Sequence, residues 1–184
     1  MLPQLTPNLC ADTVSAPPPP RYRPLNGEPR LVSWRPSSAS GSVGLTEAQK
    51  AGLRYEAKVQ DYLCAALGTS YYPAPYLHFL DGTVLENGGA YRTLVPDGLF
   101  FAPEKLVYIF EFKSQHMPEA WYQLRKLYEP VVKRLDVDRR TSVIEVVRSY
   151  DPAMGFPEPV ILCSSLDEAL DSPLHSFKVL RWRP

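Results

Sequence analysis

The sequence predicts an α/β fold in which helices cover a mixed central sheet. Apolar residues recur with helical periodicity in two long segments, residues 46–67 and 118–135. Short apolar runs bounded by glycine and proline turns lie between and after these segments, which is typical of strands. The order is a helix, three antiparallel strands, a second helix and further strands, which indicates a layered α/β domain.

The first helix is predicted to begin after Thr46 and to end at Gly68. Thr46 is a suitable N-cap, and Gln49, three residues later, is a suitable capping-box partner. Gly68 is a suitable C-cap. The apolar residues at near-helical spacing are expected to face the core, and they are Ala48, Leu53, Ala57, Leu63, Ala66 and Leu67.

The remaining elements follow from their apolar patterns and turns. Strands are predicted for YLHFLDG, AYRTLVPDGLFF and LVYIFEFK. The second helix, PEAWYQLRKLYEPVVKRL, has a proline in its first turn. Its apolar face is formed by Trp121, Leu124, Tyr128, Val131, Val132 and Leu135. Two more strands, TSVIEVVRSY and EPVILCSS, are expected before a short helix, SLDEALDS, and a last strand, HSFKVLRWR.

Residues 1–43 are predicted to form a proline-rich extended arm, and residues 44–184 the folded domain. Nine of the 20 prolines precede residue 37, and this stretch lacks the apolar content for a core of its own. The arm is either disordered or packed against a surface. We expect it to lie along a neighbouring subunit or another protein partner, or across its own domain, with Leu31 and Trp34 as anchors.

Charge and cysteine content exclude several classes of protein. The chain carries 20 Lys and Arg against 20 Asp and Glu, so any nucleic-acid contact must come from local patches. Its three cysteines are far apart and odd in number, which does not match a disulfide framework or a zinc or iron–sulfur site. No signal peptide and no membrane span are expected. A cytoplasmic location is therefore predicted.

The strand LVYIFEFK carries two opposite charges on a face that is otherwise apolar. Alternation places Val107, Ile109, Glu111 and Lys113 on one face, and Tyr108, Phe110 and Phe112 on the other. Charged groups on a half-buried face need partners, because burying an unpaired charge is costly. The two charges therefore indicate an internal Glu–Lys pair, an edge strand that leans into water, or a metal site.

The residues around this strand resemble a known motif. Pro96-Asp97, thirteen intervening residues and Glu111-Phe112-Lys113 resemble the PD-(D/E)xK motif of the restriction-endonuclease-like nuclease superfamily. Glu56 resembles the glutamate on the first core helix of that superfamily. The second helix is similar to the Gln-x-x-x-Tyr helix of the recombination-type exonuclease branch, and the resemblance spans roughly residues 46–150.

The sequence departs from that branch at one position. Tyr128 follows Gln123 by five residues, whereas the pattern has four. Five steps along an α-helix rotate a side chain away from the first one. Either the helix bulges, or Gln123 works without this tyrosine.

The resemblance implies a Mg²⁺- or Mn²⁺-dependent nuclease that hydrolyses phosphodiester bonds of DNA. Divalent metals neutralise the scissile phosphate and make a water nucleophilic near neutral pH, and Mg²⁺ prefers oxygen ligands. The implied metal ligands are Asp97, Glu111 and the backbone carbonyl of Phe112. Glu56 would reach the same ion through water or hold a second one, and Lys113 would orient the attacking water. The implied catalytic residues are Glu56, Asp97, Glu111, Lys113 and Gln123.

Basic side chains near the proposed site are candidates for contacts with DNA phosphates. They are Arg125, Lys126, Lys133 and Arg134 of the second helix, with His116 just after the motif strand. Two other functions remain open. The chain could be a nuclease-fold structural or assembly protein, for example a phage virion component, or a nucleic-acid-binding module without catalysis.

Overall fold

The computed structural model describes residues 30–35, 44–80, 91–134, 138–153 and 156–184. These residues form a six-stranded mixed sheet and a three-stranded antiparallel sheet, with helices on the faces of the larger sheet. The predicted α/β class with a mixed central sheet flanked by helices is therefore confirmed.

The elements of the first half are β1 (Arg30–Arg35), α1 (Glu47–Leu67), β2 (Tyr71–Pro73), β3 (Tyr76–Leu80), β4 (Tyr91–Leu94), β5 (Gly98–Ala102) and β6 (Leu106–Gln115). The elements of the second half are α2 (Pro118–Tyr122), a π-helix (Gln123–Tyr128), α3 (Glu129–Val132), β7 (Arg140–Ser149), β8 (Val160–Cys163), α4 (Leu166–Asp171) and β9 (Phe177–Arg181). Across the parts of the chain that are described, no helix has the length and apolar character needed to cross a membrane.

Helix α1 has the predicted ends but presents a different face to the core. The capping box between Thr46 and Gln49 is formed, and Gly68 is the C-cap with a φ of 61°. The buried residues are Tyr55, Val59 and Leu63, whereas Ala48, Leu53, Ala57 and Ala66 are exposed. The prediction is therefore confirmed for Leu63, with Leu67 partly buried against the core, and it is wrong for the other four residues. Tyr55, which the predicted set left out, is buried and brings more apolar surface to the core than an alanine would.

Strand β6 lies inside the six-stranded sheet, whose order is β2-β5-β6-β7-β9-β8. β2, β5 and β6 pair antiparallel, while β6 with β7, β7 with β9, and β8 with β9 pair parallel. At Glu111 and Lys113, β6 pairs with β7 only, but the two side chains are 3% and 12% exposed. The interpretation of an edge strand that leans into water is therefore wrong, and the two charges must be compensated within the protein.

The two faces of β6 contribute to two separate cores, as alternation predicts. Val107 and Ile109 pack in the core under the α2–α3 segment, which contributes Leu124, Leu127, Tyr128, Val131 and Val132. Tyr108, Phe110 and Phe112 pack in the core under α1 and α4, which contribute Tyr55, Val59, Leu63, Leu166 and Ala169. The sheet therefore has a helical layer on each face.

The predicted strand at residues 90–101 is divided into two strands that belong to different sheets. β4 pairs with β3 in the smaller sheet, and β5 pairs with β2 and β6 in the larger one. Residues 95–97 connect them, and Pro96 has no N–H to donate to a ladder. This break places Asp97 directly before β5.

Part of the predicted arm is a strand of the domain. β1 pairs antiparallel with β3, with Leu31 opposite Phe79 and Trp34 opposite Leu77. The folded part thus includes residues on the N-terminal side of the boundary that was predicted at residue 44. Residues 1–29 and 36–43 lie outside the described part of the chain, as does the partner predicted for the arm.

Candidate active site

The candidate site lies where β6 extends beyond its antiparallel neighbour. The β5–β6 ladder begins at the pair Gly98–Phe110, and β6 continues to Gln115. Asp97 lies one residue before β5, and its side chain, instead of a backbone carbonyl, bonds to β6 beyond the end of the ladder. Its Oδ2 accepts a hydrogen bond of 2.6 Å from the backbone N–H of Phe112. Asp97 is therefore fixed against the extended end of β6.

The carbonyl of Phe112 is directed toward the same edge of β6. In an extended strand the N–H and C=O groups of one residue point to the same side. Because the N–H of Phe112 points to Asp97, its carbonyl also points to the side on which the ladder has ended. A backbone oxygen and the Asp97 carboxylate are thus presented at one edge.

Glu111 and Lys113 form a direct ion pair on one face of β6. The side chains are 3% and 12% exposed, respectively. Of the interpretations of this strand, the internal Glu–Lys pair is therefore present in the structure. A buried carboxylate that is paired with a lysine can still serve as a metal ligand, because a metal ion and the lysine ammonium compete for the negative charge of the carboxylate.

The carboxyl group of Asp97 has a pKa well above its ordinary value. Burial is the first cause, and the negative charges of Glu111 and Glu56 add to it. The Phe112 N–H and the Lys113 ammonium act in the opposite direction. Glu56, from helix α1, therefore lies within electrostatic range of the Asp97 carboxyl. The fold brings together four of the predicted residues: Glu56, Asp97, Glu111 and Lys113.

The helix that carries Gln123 bulges, which was the first of the two predicted alternatives. Residues 123–128 form a π-helix, and the N–H of Glu129 bonds to the carbonyl of Leu124, five residues earlier. The wider turn places Gln123 and Tyr128 together. Gln123 Nε2 donates to the Tyr128 hydroxyl at 3.2 Å. The five-residue spacing between Gln123 and Tyr128 is thus accommodated by a π-helix instead of a regular α-helix.

Gln123 itself is buried at 3% exposure. Its Oε1 has no hydrogen-bond partner within the described residues. A buried carbonyl oxygen without a donor is rare in proteins, and such groups are often satisfied by water or a ligand. Gln123 thus has an acceptor available, in addition to the bond that fixes its amide nitrogen.

Arg125 is held by protein groups rather than presented to solvent. Its guanidinium donates to Glu158 at 2.9 Å, to Glu129 at 3.2 Å and to the carbonyl of His175 at 2.7 Å. Its side chain is 13% exposed. The predicted phosphate contact by Arg125 is therefore wrong for this conformation, because its donors are already directed into the fold.

The other basic residues of the second helix differ in exposure and partners. Lys133 bonds to Glu129 at 3.1 Å but is 55% exposed. Lys126 is exposed, with its Nζ 5.3 Å from the centroid of the Trp121 ring, and Arg134 is exposed as well. These three side chains remain accessible to a phosphate backbone.

His116 is a core residue. It is 1% exposed, and its ring lies 4.8 Å from that of Tyr150 and 4.3 Å from that of Phe156, measured between centroids. Its Nδ1 is 2.5 Å from Oε2 of Glu145. The predicted contact between His116 and nucleic acid is therefore wrong, because the ring is enclosed by protein.

Glu145 was missed in the sequence. It is fully buried in β7 and is the register partner of Glu111. Burial raises the pKa of its carboxyl, and the hydrogen bond and charge of His116 counteract the rise. The signal was available, because TSVIEVVRSY carries one glutamate within an apolar strand, just as LVYIFEFK does.

The donor set at this edge fits a hard divalent cation by its chemistry. Carboxylates and a backbone carbonyl are ligands that Mg²⁺ accepts, and the charges of Glu56, Glu111 and Lys113 all act on the Asp97 carboxyl. As the described side chains are placed, no group of three or more His, Cys, Asp or Glu residues is arranged to hold a metal ion.

No family model matches this chain, and no curated protein and no solved structure is significantly similar to it.

Proposed function

We propose that this protein is a metal-dependent nuclease with a restriction-endonuclease-like core, which hydrolyses phosphodiester bonds of DNA in a bacterial or phage setting. One observation carries the proposal. Helix α1 contributes Glu56, the residue before β5 is Asp97, and β6 contributes Glu111 and Lys113; at the extended end of β6, burial and then the charges of Glu111 and Glu56 raise the pKa of Asp97. Clustered carboxylates with a strongly perturbed pKa are typical of functional sites.

The residues of the site have distinct proposed roles. Asp97, Glu111 and the carbonyl of Phe112 would hold Mg²⁺ or Mn²⁺, and Glu56 would act through water or a second ion. When bound, the metal supplies charge neutralisation at the phosphate and activation of water. Lys113 opposes the developing negative charge with a compact ammonium and orients the attacking water.

Gln123 and the accessible basic residues complete the proposed site. The Oε1 of Gln123 can accept a hydrogen bond from a water molecule, and its position is fixed by the bond to Tyr128. Phosphate contacts are proposed for Lys126, Lys133 and Arg134, which are exposed. Because these contacts are electrostatic, DNA binding should weaken as the salt concentration rises.

The direct test is cleavage by the purified protein. Plasmid, linear and branched DNA are incubated with Mg²⁺, Mn²⁺, Ca²⁺ or EDTA, in parallel with the Asp97→Asn and Glu111→Gln variants. We expect cleavage with Mg²⁺ or Mn²⁺ by the wild type only. Cleavage that survives both substitutions would assign the activity to a contaminant, and no cleavage of any substrate would contradict the proposal.

A second candidate function is a nuclease-fold assembly protein or nucleic-acid-binding module without catalysis. The direct ion pair between Glu111 and Lys113 favours it, since each charge already has a partner. This candidate predicts that Glu111→Ala destabilises the fold through an unpaired Lys113 and that the wild type does not bind Mn²⁺. The nuclease proposal predicts measurable Mn²⁺ binding by a folded wild type.

A further inference from the structure

A second acidic residue lies beside Glu111 in the central sheet. Glu145 is the partner of Glu111 in the parallel β6–β7 register, and Glu111 and Glu145 are 2% and 0% exposed. Alternation along each strand puts both side chains on the same face. Neighbouring strands are about 4.8 Å apart, and like charges on facing residues destabilise a sheet. Two buried glutamates at this spacing therefore need compensating groups.

Glu145 is held by two donors. Its Oε2 is 2.5 Å from Nδ1 of His116, and its Oε1 accepts from the N–H of Met117 at 3.2 Å. The His116 ring lies against the rings of Tyr150 and Phe156. Both carboxylate oxygens of Glu145 are thus engaged, and the group that engages Oε2 is enclosed by aromatic side chains. The position of this carboxylate is set by the fold.

Lys113 lies within the field of both glutamates. It contacts Glu111 directly. It is also close enough to Glu145 to favour the ionised form of that carboxyl, as His116 does. Burial has a larger effect than these attractions, so the pKa of Glu145 is raised. Lys113 therefore has one carboxylate in contact and a second one, fixed in place, at longer range.

We propose that Glu145, held by His116, positions the Lys113 ammonium when Glu111 is engaged by a divalent cation. This inference rests on the proposed nuclease function. A carboxylate shared with a dication is a weaker partner for an ammonium, and a buried ammonium without a counter-charge is costly. Glu145 is the carboxylate next to Glu111 on the same face of the sheet. Glu145 and His116 are positioning residues, because they act through Lys113.

The variant that isolates this role is Glu145→Gln. Glutamine keeps the volume and an oxygen for the Met117 N–H but removes the negative charge. We expect kcat to fall by roughly 10-fold, less than the loss on removing Lys113 itself, while KM and Mn²⁺ affinity change by less than about twofold. In a Lys113→Ala background, Glu145→Gln should cause no further loss, because the two residues act as a unit. Additive losses would overturn the proposal.

His116 supplies a matched pair of variants. In His116→Asn the amide nitrogen keeps a donor near the position of Nδ1, whereas His116→Leu removes the donor. We expect the asparagine variant to retain most of the wild-type kcat and the leucine variant to resemble Glu145→Gln. Equal losses in both, at equal melting temperature, would show that the ring contributes packing only.

A readout that needs no turnover is the NMR signal of the lysine side-chain ammonium, assigned to Lys113 by its loss in Lys113→Arg. With Mg²⁺ added, the wild type should keep a protected signal, and Glu145→Gln should lose it through fast exchange with water. A wild type that cleaves DNA while Glu145→Gln keeps both signal and kcat would overturn this inference alone. A wild type that neither binds Mg²⁺ nor cleaves would overturn the proposed function, and this inference with it.

Discussion

Gln123 donates a 3.2 Å hydrogen bond to the hydroxyl of Tyr128, five residues further along the same helical segment. In a regular α-helix this spacing would separate the two side chains by more than a quarter turn. The π-helix at residues 123–128 brings them together. Pro130 lies two residues after this segment, and its ring and missing N–H disfavour a regular turn around residue 126. The irregular turn thus has a cause in the sequence and a consequence for the position of the Gln123 side chain.

Removing this bond should affect both stability and activity. Tyr128→Phe keeps the packing of the ring but leaves the buried amide of Gln123 without its acceptor. We expect the free energy of unfolding to fall by about 1 kcal/mol and cleavage to fall because Gln123 is less well fixed. Urea unfolding and single-turnover cleavage measure the two effects. The control is Tyr72→Phe, a partly exposed ring on β2. A Tyr128→Phe variant as active as the wild type would separate Gln123 from catalysis.

Metal binding should depend on Glu111. Glu111→Gln keeps the size of the side chain and removes its charge. The Mn²⁺ affinity should fall by more than about 10-fold, because losing a residue that only supports a metal ligand already lowers metal affinity by about that factor. Titration calorimetry measures it, with Glu104→Gln, an exposed carboxylate in the β5–β6 turn, as the matched control. Undiminished Mn²⁺ binding by Glu111→Gln would contradict the ligand assignment.

Lys113 should contribute to cleavage more than to folding. Lys113→Ala is expected to lower the cleavage rate by on the order of 100-fold, the scale of one positioned electrostatic group, and to leave Mn²⁺ binding intact. Single-turnover rates with saturating Mn²⁺ test this, and Lys58→Ala, which removes an exposed cation of α1 that has no proposed contact with DNA, serves as the control. Unfolding of Lys113→Ala would instead identify the Glu111–Lys113 pair as structural.

The raised pKa of Asp97 predicts how stability depends on pH without metal. The folded protein holds this proton more tightly than the unfolded chain, so the stabilisation is present at low pH and is lost as the pH rises through the raised pKa. Asp97→Asn keeps an oxygen for the Phe112 N–H and does not ionise. At about pH 8 in EDTA it should therefore melt at a higher temperature than the wild type.

The wild type and Asp97→Asn also test whether Asp97 binds the metal. Added Mn²⁺ should raise the melting temperature of the wild type but not that of Asp97→Asn, because a ligand that binds only the folded state stabilises it. If Asp97→Asn melts below the wild type in EDTA at every pH, the carboxylate is stabilising in the metal-free protein and the site is not strained by negative charge.

Gly98 is required because Tyr71 lies against its backbone. A Cβ at this position would be 2.6 Å from Cε2 and 2.7 Å from Cζ of Tyr71, whose ring is buried. Gly98→Ala should therefore lower the free energy of unfolding by roughly 1–3 kcal/mol. The control is Gly52→Ala in α1, where a Cβ meets nothing within 4 Å and should stabilise the helix by roughly 0.5–1 kcal/mol. Thermal melts of both variants measure these changes in stability. A Gly98→Ala variant as stable as the wild type would contradict the close packing of Tyr71 against Gly98.

Much of the fold follows from short-range patterns in the sequence. Thr46 and Gln49 form the predicted capping box, and the faces of β6 are the predicted ones. These features depend on residues that are near each other in the chain, through N-capping and the two-residue period of a strand. Glu111 and Lys113 could be selected for the same reason, since charges stand out within a buried strand, whereas Asp97 was selected through the resemblance of Pro96-Asp97 to the nuclease motif.

What only the tertiary structure decided are relationships between distant segments. The pairing of β1 with β3, the proximity of Glu56 to Asp97, and the position of Glu145 beside Glu111 depend on strand order and register. Arg125 and His116 have ordinary sequence surroundings, yet the fold encloses them with Glu158 and Glu145. Local propensity does not contain this information, because burial and the partner of a charge depend on which surfaces meet when the layers pack.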